Sequence, residues 1–207
     1  MKRITIIFIL TLFINFLFAN LLYDITDGKF KPQNVNMPRS MNDGENYTLL
    51  VNNKAVVKYN YKTGATVDTI FSTFKVKNSP VKQISGYEFS PNENKLIVYT
   101  NVKYRYRRTF TADYYVYDIK RNEISTLSDN GPQEVPLFSP DSRYIAFARE
   151  NNLYLKKLDF NTESPITTDG QVGSIINGTP DWVYEEEFEQ TRYFEFSPDS
   201  KMVAFVK

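Results

Sequence analysis

The chain has 207 residues, 25 Lys+Arg against 24 Asp+Glu, and neither histidine nor cysteine. That excludes a Ser-His-Asp triad, a Cys-His nucleophile pair, a Cys/His zinc site and a disulfide framework within it, and leaves carboxylate, Lys, Arg and Tyr for charge chemistry. A net charge of +1 provides no overall field for nucleic acid, while 42% hydrophobic residues, among them 16 Phe and 15 Tyr against 8 Gly, supply a core and lean toward strands.

In chain order, Lys2 and Arg3 precede an apolar run from Ile4 to Phe18 that ends at Ala19. This is the pattern of a secretory signal, and its length falls short of the ~20 residues of a spanning helix. Residues 1–19 are therefore expected to be a cleaved signal and the mature chain to begin near Asn20. Export without cysteine points to a bacterial periplasm or cell envelope.

Strand grammar begins at Asp43 to Leu50, followed by Val56 to Tyr59, a turn at Lys62-Thr63-Gly64, and Val67 to Ile70. One phrase then occurs three times: Tyr87-Glu88-Phe89-Ser90-Pro91-Asn92, Phe138-Ser139-Pro140-Asp141 and Phe194-Glu195-Phe196-Ser197-Pro198-Asp199. Each copy leads into a second apolar run, Lys95 to Tyr99, Tyr144 to Phe147 and Met202 to Phe205. The Ser-Pro-Asp/Asn step makes each a strand, a turn and a strand. Further strands are expected at Tyr114 to Ile119 and Arg121 to Leu127, and at Leu153 to Asp159 followed by Ile166-Thr167.

Four strands per unit of roughly 45 to 50 residues is a β-propeller blade. The expected fold is all-β, a partial propeller of about four blades whose last is only begun, and the chain is expected to be the N-terminal piece of a longer protein.

Two segments stand out chemically. Lys103-Tyr104-Arg105-Tyr106-Arg107-Arg108 is basic and aromatic; strand alternation would set Arg105 and Arg107 on one face and Tyr104, Tyr106 and Arg108 on the other. It reads either as a solvated hairpin end or as a guanidinium aimed at a carbonyl or carboxylate. Nucleic acid is not an expected partner. Asp181-Trp182-Val183-Tyr184-Glu185-Glu186-Glu187-Phe188 breaks alternation, and Pro180-Asp181 suits a helix entry. Its carboxylates are a solvated charge run or a site for a compact ammonium or metal ion. No spaced Asp/Asn loop supports calcium, and Trp182 and Phe188 are expected to pack.

At these two segments the sequence resembles the N-terminal β-propeller of dipeptidyl peptidase IV, in the prolyl oligopeptidase superfamily of serine peptidases. Asp181 to Phe188 is nearly identical to that family's double-glutamate motif. Arg107 through Thr111-Ala112-Asp113-Tyr114 to Ile119 and the Phe-Ser-Pro-Asp phrases also match, as does the passage from Asp24 to Gly44.

The resemblance implies that residues 20–207 are about half of an eight-bladed ring. It implies that Glu186 and Glu187 clamp the free ammonium of a peptide, and that Arg107, with Arg108 a one-place alternative, contacts the carbonyl of the second residue from the cut. Glu185 matches the glutamate that is not a principal clamp member. The parent would release N-terminal dipeptides with Pro or Ala second, as a homodimer, using Ser, Asp and His of a C-terminal α/β-hydrolase domain absent from this chain. No catalytic residue, metal or cofactor is expected here. The alternatives are a non-catalytic envelope propeller that scaffolds proteins, or one that binds carbohydrate through the Tyr99 to Tyr117 region.

Overall fold

The computed structural model describes residues 21–31, 37–76 and 79–207, so the expected signal segment lies outside the described residues. The chain divides into two units, Met1–Met37 and Pro38–Lys207. In the first, residues 21–26 are helical and Lys29 Nζ bonds Asp24 Oδ2 at 2.7 Å.

The second unit is built of antiparallel sheets in which sequence neighbours are spatial neighbours. β1 (Arg39–Ser40), β2 (Asn46–Val51), β3 (Ala55–Asn60) and β4 (Thr66–Ser72) form the first. β5 (Gly86–Phe89), β6 (Lys95–Tyr104), β7 (Phe110–Asp118) and β8 (Glu123–Thr126) form the second. β9 (Glu134–Phe138), β10 (Tyr144–Arg149), β11 (Asn152–Lys157) and β12 (Thr162–Pro165) form the third, and β13 (Phe194–Phe196) pairs with β14 (Val203–Phe205) as the beginning of a fourth. This is a partial all-β propeller, as the repeat predicts.

Strand alternation makes the blades stack. Leu96 and Val98 of β6 face the first blade, packing with Val56, Phe71 and Tyr87, whereas Ile97 between them joins Ala112, Phe138, Ile145 and Phe147 on the other side. β10 repeats the arrangement: Ile145 and Phe147 face the second blade, and Ala146 and Ala148 pack with Leu153, Phe194 and Phe196. A strand buried on both faces reads as a continuous apolar run, which is why these segments show little hydrophobic/polar alternation.

The Ser-Pro-Asp phrase closes each inner hairpin with the same bonds. Ser90, Ser139 and Ser197 each donate to the following Asn92, Asp141 or Asp199 side chain, and their Oγ atoms accept the N–H of Lys95, Tyr144 and Met202 at 2.9–3.0 Å. The next turn position has positive φ in every copy, 53° at Glu93 and 61° at both Ser142 and Ser200. Its side chain reaches the preceding blade: Asn42 N–H donates to Glu93 Oε1 at 2.7 Å, Asn92 N–H to Ser142 Oγ at 3.2 Å, and Asp141 N–H to Ser200 Oγ at 3.0 Å. One repeated turn therefore serves both within and between blades.

Three expectations need correction. The outer strand of the third blade is Thr162–Pro165 rather than Ile166-Thr167, because a 3-10 turn at Leu158–Phe160 ends on Asn161 at φ 51° and returns the chain at once. Arg105 to Arg108 lie beyond the end of β6 in a turn, so strand alternation does not sort them. Trp182 and Phe188 are exposed, at 56% and 60%, rather than in the core, and Phe188 touches only its helix neighbour Tyr184, at a ring separation of 5.5 Å, among the described aromatic rings.

Ser139 is wholly buried and serves as both donor and acceptor. Ser139→Ala should lower the unfolding free energy by about 1–2 kcal/mol, since the Tyr144 amide loses one acceptor and Asp141 its donor. Denaturant titration of wild type and variant measures this.

Candidate functional site

The site joins a loop of the second blade to a helix that follows the third. β6 and β7 run past their blade as a long ribbon, with a register shift between Thr100 and Lys103 where Asn101 takes φ 54° and donates to Asp113 Oδ2 at 2.7 Å. The ribbon ends in the turn 105–109, closed by Arg105 N–H to Thr109 O at 2.8 Å.

The helix, α1 (Trp182–Phe188), starts directly after Pro180-Asp181, the entry expected from the sequence. Asp181 caps it by accepting Tyr184 N–H at 3.0 Å, and Glu189 at φ 56° ends it. The chain before it is pinned by Asn177, fully buried, whose amide donates to Asn151 O at 3.1 Å and Asp169 Oδ1 at 3.0 Å. Gly178 follows at φ 76°, and a Cβ there would lie 2.6 Å from Leu153 Cδ2.

Helical phase separates the three consecutive glutamates by about 100° each. Glu185 points inward and is fully buried. Its Oε1 accepts Arg108 N–H at 2.6 Å and Thr109 N–H at 3.1 Å, and its Oε2 accepts the Thr109 hydroxyl. Arg108 returns the grip, donating to the Glu185 carbonyl at 3.3 Å and to Glu189 Oε1 at 2.8 Å. Burial pushes the Glu185 pKa up, but the bonds from Thr109 and the Arg108 and Thr109 amides, with the Arg108 charge, outweigh it and leave the carboxyl below the usual glutamate range.

Glu186 is half-turned to the loop, where its Oε2 lies 3.4 Å from Arg107 Nη1. Arg107 is 69% exposed along its side chain and Glu186 is 19% exposed. Glu187 is exposed, with no hydrogen-bond or ion-pair partner among the described residues. The structure thus brings Arg107 and Glu186 together, leaves Glu187 exposed at the next position, and turns Arg108 toward Glu185 and Glu189. No group of three or more Asp or Glu suited to a metal ion occurs among the described residues.

Sequence reasoning missed what holds this arrangement. The resemblance set Glu185 apart from the clamp pair but gave it no role, and Thr109 carried no signal; the phase of the helix against the ribbon is what buries Glu185 on the Arg108 and Thr109 amides. A further pair, Glu134 and Arg105 at 3.9 Å, was also unforeseen.

Residues 90–207 match the family described as the dipeptidyl peptidase IV (DPP IV) N-terminal region. The chain belongs to this family. It is 43% identical to the crystal structure of Porphyromonas gingivalis dipeptidyl peptidase 4, with a TM-score of 0.83 over 88% of this chain and 26% of that one. A probable dipeptidyl-aminopeptidase B of Emericella nidulans is 38% identical over 122 residues, 57% of this chain and 13% of that protein. Prolyl endopeptidase FAP of Homo sapiens is 31% identical over 166 residues, 79% of this chain and 21% of that protein. The chain therefore spans about a quarter or less of the length of these relatives.

Glu185→Ala would strand the buried amides of Arg108 and Thr109 and should cost about 3 kcal/mol of unfolding free energy. Because the folded-state pKa is depressed, the Glu185 contribution is present above the ordinary glutamate value of 4.5 and is lost as pH falls through the lowered value. Denaturation curves across the acid range should show a shallower loss of stability in the alanine variant than in wild type.

Proposed function

We propose that this chain is the substrate-recognition part of a serine exopeptidase that removes N-terminal dipeptides, with Pro or Ala second, from peptides. Glu186 and Glu187 take the free ammonium of the substrate, and Arg107 donates to the carbonyl of the second residue from the cut. The observation that carries this reading is the 3.4 Å approach of Arg107 to Glu186, with the next residue, Glu187, exposed and without a partner among the described residues.

The chemistry follows from charge. Two adjacent carboxylates repel, and a compact cation between them relieves that repulsion. The Arg107–Glu186 contact is long and its guanidinium is open to water, so it is a weak bond for an arriving substrate to rearrange. An ammonium bound at a fixed distance from a nucleophile acts as a ruler: a dipeptide reaches the cut, and a chain with a blocked amine loses its anchor.

With no histidine, this chain cannot itself supply the triad. The reaction requires the Ser, Asp and His of a C-terminal α/β-hydrolase domain as partner. We place the protein in the bacterial periplasm or cell envelope on the strength of its N-terminal apolar segment, and assign the whole enzyme a homodimeric state by analogy with the family.

In the protein expressed from its complete reading frame, Glu186→Gln and Glu187→Gln should each lower kcat/KM for dipeptidyl substrates by about 2–4 kcal/mol of transition-state binding. Steady-state kinetics with free and N-acetylated substrates test this. Unchanged kcat/KM in both variants, or equal turnover of the acetylated substrate, would refute the clamp.

A further inference from the structure

The carboxylate of Glu134 lacks the hydrogen bonds that fill the other buried acid near the site, Glu185. Glu134 opens β9 and is 6% exposed, yet its Oε2 accepts no hydrogen bond. The nearest cation is Arg105, whose Nη1 lies 3.9 Å away and whose guanidinium also sits over the Tyr106 ring at 5.1 Å. A buried charge so poorly compensated is costly to keep and does little for stability.

Its place in the fold suggests a different role. The turn 105–109 has two legs. Glu185 holds the far leg through Arg108 and Thr109, and Thr109 O ties back to the amides of Arg105 and Tyr106 at 2.8 and 3.3 Å. Arg105 is the side chain of the near leg, and Glu134, from the third blade, is the acid that faces it. Arg107 lies between the two anchored legs.

We propose that Glu134 is a positioning residue: through Arg105 it holds the near leg of the turn so that Arg107 stays opposite Glu186 and in reach of the substrate carbonyl. The inference rests on the recognition role proposed above for Arg107 and Glu186. Glu134 touches no substrate atom; it limits how far the turn can swing.

The test uses the protein expressed from its complete reading frame and a dipeptidyl p-nitroanilide. Glu134→Gln and Arg105→Gln should each raise KM about tenfold with kcat within about twofold, as a misplaced binding group does. The double variant should be no worse than either single one, because both remove the same link. Thermal midpoints should hold or rise in Glu134→Gln, since the variant discards a buried charge whose counter-ion, Arg105, stands 3.9 Å away with no hydrogen bond to it. A fall in thermal midpoint with unchanged KM would mean that Glu134 is merely structural and would overturn the proposal, as would additive effects in the double variant. If Glu186→Gln raises KM and Glu134→Gln does not, this inference alone falls; if Glu186→Gln changes nothing, the clamp falls and takes this inference with it.

Discussion

A buried carboxylate with its hydrogen bonds filled underlies the rest of the site. Seven residues of helix are too few to be stable alone, since nucleating the first turn costs more than so short a run returns. α1 is held by Asp181 at one end, by the αL residue Glu189 at the other, and by Glu185 in the middle. Glu185 accepts two backbone amides and a hydroxyl from the ribbon turn, so the charge that would be ruinous if unpaired becomes the fastening between two parts of the chain more than seventy residues apart. With Glu185 inward, geometry leaves Glu186 beside Arg107 and Glu187 in water.

The blades supply the rigid frame on which that fastening is useful. β6 and β10 each bury alternate residues against opposite neighbours, so the second and third blades are gripped on both faces. The repeated turn adds a polar link from each blade to the next, through Glu93, Ser142 and Ser200. The second and third blades, which carry Arg107 and Glu134, are thereby fixed relative to each other, and the segment leading to α1 is tied to the third through Asn177 and Asn151.

The ribbon that bears Arg107 is a departure from blade regularity. β6 and β7 outrun β5 and β8, and the left-handed Asn101 shifts their register before the turn. Such irregularities re-aim side chains, and here the effect is to carry three arginines to the acids of the third blade and of α1. Arg105 meets Glu134, Arg107 meets Glu186, and Arg108 meets Glu185 and Glu189. A chain of net charge +1 has concentrated opposite charges from separate segments at one place.

By itself the sequence determined the blade repeat, the Ser-Pro-Asp turns and the helix entry at Asp181, because each depends on local preference: proline presets φ, Asp and Asn bond their own backbone, and aromatic residues favour strands. The absence of histidine likewise settled that no triad could form within these residues. Only the tertiary structure decided which of Glu185, Glu186 and Glu187 is buried, which of Arg107 and Arg108 is the more exposed, and that Trp182 and Phe188 face solvent. Those assignments turn on the rotation of one short helix against a ribbon from another blade, a relation between distant segments that no local propensity encodes.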